Sequence, residues 1–181
     1  MRSARSWTPS RCRLAPVLLR PATAADFPTI RDIAHRTWPA TFGAILSQEQ
    51  IAYMLDMMYA DAALAEQVSR RGHRFLLAED DDGQAVGYAS YELHYRAGTT
   101  KLHKLYVLPA QQGRGLGRTL IEAVEAAARA VGDSVLRLDV NRDNRAVGYY
   151  ERSGFTKVGE AVTEIGEGWV MDDFVYERGV G

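Results

Sequence analysis

Residues 105–119 read Leu105-Tyr106-Val107-Leu108-Pro109-Ala110-Gln111-Gln112-Gly113-Arg114-Gly115-Leu116-Gly117-Arg118-Thr119. The apolar run that Pro109 stops predicts a strand over Leu102–Leu108. Beyond the three glycines, Leu116, Leu120, Ile121, Val124, Ala127, Ala128 and Val131 share one helix face, with Arg118, Glu122, Glu125 and Arg129 opposite. Gly132 is the expected C-terminal cap. A strand, a glycine loop and an amphipathic helix in that order make an anion site. Glycine lets backbone approach a ligand closely. The first helical N–H groups lack partners, and the helix dipole is positive at that end. Arg114 and Arg118 add charge of a shape that suits phosphate, so a diphosphate is the best-matched ligand. Two familiar loops fail on spacing. Three residues separate Gly113 from Gly117 and Arg118 follows, where a Walker loop needs four residues between its glycines and then Lys. G-x-G-x-G is also not the G-x-G-x-x-G of a Rossmann turn.

Outward from this junction, strands and helices alternate. Val17 to Arg20 predicts a short strand. Phe27, Ile30, Ile33, Ala34 and Trp38 have helical spacing, and Trp38-Pro39 is expected to end that helix, because the residue before Pro avoids the α region. Ser47 with Gln50 reads as a capping box opening a second helix through Ile51, Met54, Leu55 and Met58. More helix is expected from Asp61 to about Arg71. Strands follow at Phe75–Ala78 and Ala85–Tyr95, joined through the polar turn Asp80-Asp81-Asp82-Gly83. After the long helix come a strand at Val135–Val140, a short helix at Asn144–Glu151, and closing strands near Thr156–Ile165 and Trp169–Tyr176. The fold class is α/β (α+β): one domain with a mixed, mostly antiparallel twisted sheet of about six to seven strands, flanked by about four helices.

Composition supports one globular domain. The chain has 181 residues, 46% apolar and 25% charged, close to the globular average. One Cys excludes an internal disulfide framework, a Cys-rich zinc site and a CxxC pair. His35, His73, His94 and His103 form no H-E-x-x-H or tight pair, so a metal site would have to assemble from distant positions, and no metal is expected. No apolar run reaches the roughly 18 residues of a membrane span. The net charge of −1 disfavours a dominant nucleic-acid binder. Residues 1–20 carry five arginines and no acid; since the whole chain is −1, residues 21–181 carry −6. Residues 1–15 are therefore expected to be a basic, flexible tail ahead of a domain over 16–181. Cys12 lies in this tail, far from any other chemical motif.

Gln112-Gly113-Arg114-Gly115-Leu116-Gly117 resembles the Q/R-x-x-G-x-G/A loop of the GCN5-related N-acetyltransferases (GNAT). The preceding "LYVLP" resembles their fourth strand. "LDVNRDNRAVGYYERSGF", Leu138 to Phe155, resembles their fifth strand and following helix, with Asn141, Asn144, Tyr150, Gly154 and Phe155 at the family's spacing. "TWPATFG", Thr37 to Gly43, and the late "GWVMDDFVYER" resemble a bacterial branch that includes polyamine acetyltransferases.

The resemblance implies a cytoplasmic enzyme, an acyltransferase that passes the acetyl group of acetyl-CoA directly to a primary amine of a small molecule or peptide, with a polyamine favoured. It implies no partner nucleic acid or membrane, and a homodimer is its candidate assembly. The fourth and fifth strands are expected to splay apart. Backbone amides from Gln112, Gly113, Arg114, Gly115, Leu116, Gly117 and Arg118 would hold the pyrophosphate. The Leu105, Tyr106 and Val107 edge would bond the pantetheine, with one N–H near Leu105 or Tyr106 on the thioester carbonyl. Asn141 and Asn144 would contact the CoA arm. Tyr150 would protonate the departing thiolate, since a phenol with a reference pKa near 10 is protonated at neutral pH. Tyr149 is expected to pack in the core. Alternation puts Tyr88, Ser90, Glu92 and His94 on one strand face, which makes Glu92 a candidate general base, as is His103 on the next strand. Asp172, Asp173, Glu164 and Glu167 are candidate anionic lining for a cationic acceptor. Two alternatives remain: an acyl-CoA-binding sensor on the same fold without catalysis, and a module that binds ATP through the glycine loop.

Overall fold

The computed structural model describes residues 17–181; the expectations for the basic tail and Cys12 lie outside the described residues. Among these residues there are seven strands: β1 Leu18–Pro21, β2 His73–Glu79, β3 Ala85–Arg96, β4 Thr99–Val107, β5 Val135–Asn141, β6 Thr156–Gly166 and β7 Trp169–Gly179. They form one sheet in the order β1-β2-β3-β4-β5-β7-β6. The β4–β5 pair is parallel and every other pair is antiparallel. Among the described residues five α-helices flank it, one more than expected: α1 Phe27–Phe42, α2 Gln48–Tyr59, α3 Asp61–Ser69, α4 Leu116–Ala130 and α5 Ala146–Arg152.

Each sheet face owns a core. On one, Leu116, Leu120, Ile121, Val124 and Ala128 of α4 and Tyr150 of α5 bury against Ala89, Leu102, Leu136 and Leu138. Each such large aliphatic contributes about 1.5–3 kcal/mol on burial. On the other, α1, α2 and α3 set Ile30, Trp38, Leu55, Tyr59 and Leu64 against Phe75, Leu77 and Tyr88. Among the described residues no helix is long and apolar enough to cross a membrane.

Three local expectations are corrected. Helix α1 does not end at Trp38; it runs through Pro39 to Phe42. Pro39 and His35, whose carbonyl loses its donor, are both exposed. Trp38 before Pro39 and Phe42 after it, with ring centroids 4.8 Å apart, are both buried. Their burial offsets the roughly 3 kcal/mol that an interior proline costs. The Ser47 cap forms, accepting from the Gln50 amide at 3.1 Å, but the Gln50 side chain reaches the Val170 carbonyl at 3.3 Å instead of closing the box. His94 leaves the face of Tyr88, Ser90 and Glu92. At φ 53°, where the β3–β4 register shifts, its amide and Nδ1 reach Asp133 at 2.9 and 2.8 Å.

Asp133 therefore ties β3, β4 and the α4–β5 turn together, accepting also from Thr100 Oγ1 at 2.7 Å. Burial alone would push its carboxyl up. The bonds from Thr100, the His94 amide and the His94 ring outweigh that and leave it lowered from 3.8. A lowered carboxyl stabilises the fold above its ordinary value and loses that contribution as pH falls through it. Asp133→Ala strands the buried Thr100 hydroxyl and is expected to cost about 2–3 kcal/mol, about 5–10 °C in Tm. Thermal melts should show that gap at pH 7 and a smaller one below pH 3.8.

Candidate active site

The β4–β5 ladder is short. Pairing covers only Thr99–Leu102 against Val135–Leu138. Beyond it β4 stays paired to β3 through Lys104, Leu105, Tyr106 and Val107, while its other edge is open. Two causes part the strands. A bulge in β4 lets Ser90 and Tyr91 face Lys104 and Leu102, skipping His103, and bulges bend a strand and re-aim its side chains. β5 meanwhile leaves to pair with β7 as far as Asn141↔Asp173. Alternate amides of Leu105–Val107 on that edge are therefore unpaired within the sheet, a geometry that an added strand-like arm could use.

At the end of that edge lies the glycine loop. Gly113 and Gly115 sit at φ 75° and 79°, and a Cβ on either would meet nothing within 4 Å. Among the described residues, the amides of Gly113 through Arg118 donate to no backbone carbonyl. The first helical bond is Thr119 N to Gly115 O at 3.0 Å. Gln112 differs from the other loop residues. Its amide goes to Pro109 O at 3.2 Å and its Nε2 to Val107 O at 3.0 Å, so it shapes the turn. Arg114 contacts Gln111, and Arg118 pairs with Glu122 at 2.7 Å on an exposed face. Gly117 packs close to Tyr149: a Cβ there would stand 3.4 Å from its hydroxyl, the near limit of ordinary contact. Six free amides at a helix N-terminus fit a pyrophosphate.

A cleft of about 1550 Å³ runs from this loop through the parted strands to the α1, α2 and α3 side, and Tyr150, Asn141 and Asn144 line it. Asn141 Oδ1 accepts from the Asp143 amide at 3.0 Å and Asn144 Oδ1 from the Ala146 amide at 2.9 Å. Each asparagine thus builds its turn and keeps an Nδ2 donor. Tyr150 is buried, with Phe155 edge-on at 5.7 Å. Among the described residues its hydroxyl forms no hydrogen bond, and burial and then Tyr149 push it well above 10. Tyr149 packs against the same core with its own hydroxyl buried and unpaired.

Sequence reasoning did not foresee the polar cluster on the far side of the splay. His73 Nδ1 meets Ser90 Oγ at 3.1 Å, His73 and His103 stack at 4.0 Å, and His103 Nε2 meets Glu92 Oε2 at 2.9 Å. The two candidate bases are therefore one hydrogen-bonded pair. Burial pushes His103 down to about 2 and His73 to about 4, helped by Lys101, Lys104 and Arg71. His103 is neutral and donates to the carboxylate, which burial raises from 4.5. Ligating atoms of His73, Glu92 and His103 lie within 4.8 Å, so distant histidines do assemble. The three cations around them oppose a dication there. Lys104 is buried with its Nζ 2.7 Å from Gln67 Oε1, and burial and then Arg71 carry it down to about 7. Lys101 pairs with Asp139 at 2.6 Å where β4 and β5 part. Asp173 lies on the β7 side of the cleft, its carboxyl raised to about 6 by burial and Asp139. The wall is clasped by Tyr53 Oη on Ile165 O at 2.6 Å.

A strand–loop–helix junction with unbonded loop amides, beside a parted mixed sheet, is the layout of the acetyltransferase class of α/β domain. The chain belongs to the family described as Acetyltransferase (GNAT) domain, whose profile matches residues 44–170. It is 36% identical over 97 residues to an L-methionine sulfoximine/L-methionine sulfone acetyltransferase of Pseudomonas aeruginosa, 51% of this chain and 56% of that protein. It thus spans little more than half the length of that relative. It is 27% identical over 142 residues to the spermidine N(1)-acetyltransferase of Thermoplasma acidophilum, 76% of this chain and 86% of that protein. In fold it is similar to the PaiA N-acetyltransferase of Thermoplasma acidophilum solved with coenzyme A, with TM-score 0.76 and 24% identity over 91% of this chain and 99% of that one.

Proposed function

We propose that this chain transfers the acetyl group of acetyl-CoA directly to the primary amine of a small molecule or peptide. The observation that carries this reading is the run of free amides from Gly113 to Arg118, continuous with the open Leu105–Val107 edge and lying in the same cleft as an unpartnered Tyr150 hydroxyl. Acetyl-CoA supplies an acetyl thioester: a C–N bond to the amine replaces the C–S bond, and the sulfur leaves with a proton.

The loop amides hold the pyrophosphate, Asn141 and Asn144 offer donors to the arm, and an open β4 amide near Leu105 or Tyr106 faces the carbonyl. A preorganised donor of that kind contributes about 2.7–4 kcal/mol to lowering a barrier. Tyr150 gives its proton to the departing sulfur. Glu92, held by His103, takes the proton from the amine. Desolvation makes it a better proton acceptor than a solvated glutamate. Acetyl-CoA should raise Tm by RT ln(1 + [L]/Kd) in free-energy terms while ATP should not, and thiol release should require an added amine. Tight acetyl-CoA binding without thiol release for any amine would favour the sensor.

Glu92→Gln is expected to lower kcat/KM about 10²-fold. A carboxylate base works only above its own pKa, so the parent should lose activity on an acid limb set above 4.5. The variant should lack that limb, which a pH–rate profile reads directly. A purely structural Glu92 would leave the profile's shape unchanged.

A further inference from the structure

The acceptor side of the cleft has two unlike walls. Toward α3 and β2 it is polar, with His73, Glu92, His103 and Lys104. Toward α1, α2 and the β6–β7 hairpin it is lined by Trp38, Phe42, Leu46, Met54, Ile165 and Met171. All six belong to one apolar cluster, and Leu46, Ile165 and Met171 keep part of their surface uncovered. The apolar wall meets the β4 edge at Tyr106, which packs against the same cluster with its ring centroid 6.0 Å from that of Trp38.

The polar groups of this wall are spent inward. Thr37 Oγ1 donates to Ile33 O at 2.8 Å and Thr41 Oγ1 to Thr37 O at 2.9 Å, both within α1. Gln50 Nε2 goes to Val170 O at 3.3 Å, and the Trp38 N–H is buried. Among the described residues, α1, α2, β6 and β7 bring no Lys, Arg or His to the cleft lining. Their acids there are Glu164, which is exposed, and Asp173, whose carboxyl burial and Asp139 raise to about 6. The wall is also fitted in place. Tyr53 Oη donates to Ile165 O at 2.6 Å, and a Cβ on Gly166, at φ 96°, would stand 2.6 Å from that hydroxyl. Only a glycine lets the hairpin come this close to α2.

We propose that the acceptor is a monoamine with an apolar arm, its amine at the β4 edge where the Glu92–His103 pair takes the proton and its arm laid on the Met54, Ile165 and Met171 wall. This rests on the acetyl-transfer reading above. An apolar arm releases water from its own surface and from the wall. A hydroxyl or a second ammonium in the same place gives up its hydration, and the polar groups spent inward offer it no return. A second ammonium has only Asp173 to meet, at a position that already strips water from a carboxylate.

The test uses the CoA-saturated protein and calorimetry, with thiol release measured in parallel on acetyl-CoA. The probes are the straight-chain amines from propylamine to hexylamine, and two twins of pentylamine of the same length, putrescine and aminobutanol. Each added CH₂ is expected to tighten binding about two- to fourfold. Pentylamine should bind more than about tenfold tighter than either twin. Met171→Gln, close in size and polar, should cut that advantage at least about threefold. A twin that matches or beats pentylamine, no gain along the series, or no binding of any alkylamine overturns the proposal. So does a Met171→Gln protein that keeps the full advantage. If Met171→Gln fails to fold, the series on the parent protein still decides. Alkylamines that bind in the expected order while no amine releases thiol would uphold the apolar arm and defeat acetyl transfer. Thiol release that favours putrescine would do the reverse.

Discussion

Tyr150→Phe is expected to reduce kcat by about 10²–10⁴, the range of a positioned general acid, and to leave CoA affinity within twofold. The separation follows from where the hydroxyl sits. Its ring is one element of the core, edge-on to Phe155 and Tyr149, and phenylalanine preserves that packing. Its oxygen has no hydrogen-bond partner among the described residues, so deletion strands no buried group and Tm should hold. Burial holds the phenol well above 10, so it carries its proton across the neutral range and imposes no basic limb below pH 10. The proton is needed only when sulfur departs, so the loss falls on kcat rather than on binding. The measurement is single-turnover thiol release with a saturating amine. An unchanged rate with chemistry limiting would remove Tyr150 from the mechanism and leave it a core aromatic.

The glycine loop, the long helix and the order of strands were legible because they are local. A period of 3.6 in Leu116–Ala128, a glycine cluster and Pro109 each act within a few residues of themselves. The errors have the opposite character. Pro39 is a breaker by every local rule, yet the helix continues because Trp38 and Phe42 have a core to enter, and that core is built by α2 and β3. His94 follows the alternation of its strand until Asp133, 39 residues away, takes its amide and its ring. Glu92 and His103 were separate candidates in the sequence, and only the β3–β4 register makes them a pair. One signal was present and unread. Leu102 and Leu105 are both apolar and three apart, which strict alternation forbids on one face. Both lie against the α4 core, so an extra residue must bulge between them. That bulge puts His103 and Lys104 together on the opposite side, in the polar cluster with His73 and Glu92. Asp172 and Asp173 stood together as candidate lining acids in the sequence, and only the structure separates them, with Arg142 pairing Asp172.

Gly115→Val is expected to weaken CoA binding at least a hundredfold, and the reason must be separated from backbone strain. Gly115 sits at φ 79°, and a β-branched residue there costs about 1–2 kcal/mol in any protein. The free chain offers no steric objection, since an added Cβ meets nothing within 4 Å. That emptiness is the point: the space in front of six amides unbonded among the described residues is where the proposed function places the two phosphates. Gly132 provides the control. It has φ 83°, equally open surroundings, and a position past the far end of α4, some 15 residues of helix from the loop. Gly132→Val carries the same strain and none of the obstruction. Both variants should lose a few degrees of Tm, about 2–8 °C, while only Gly115→Val loses CoA affinity by calorimetry. If the two variants bound CoA alike, the loop would be a turn that starts a helix, and the phosphates would have to be gripped elsewhere.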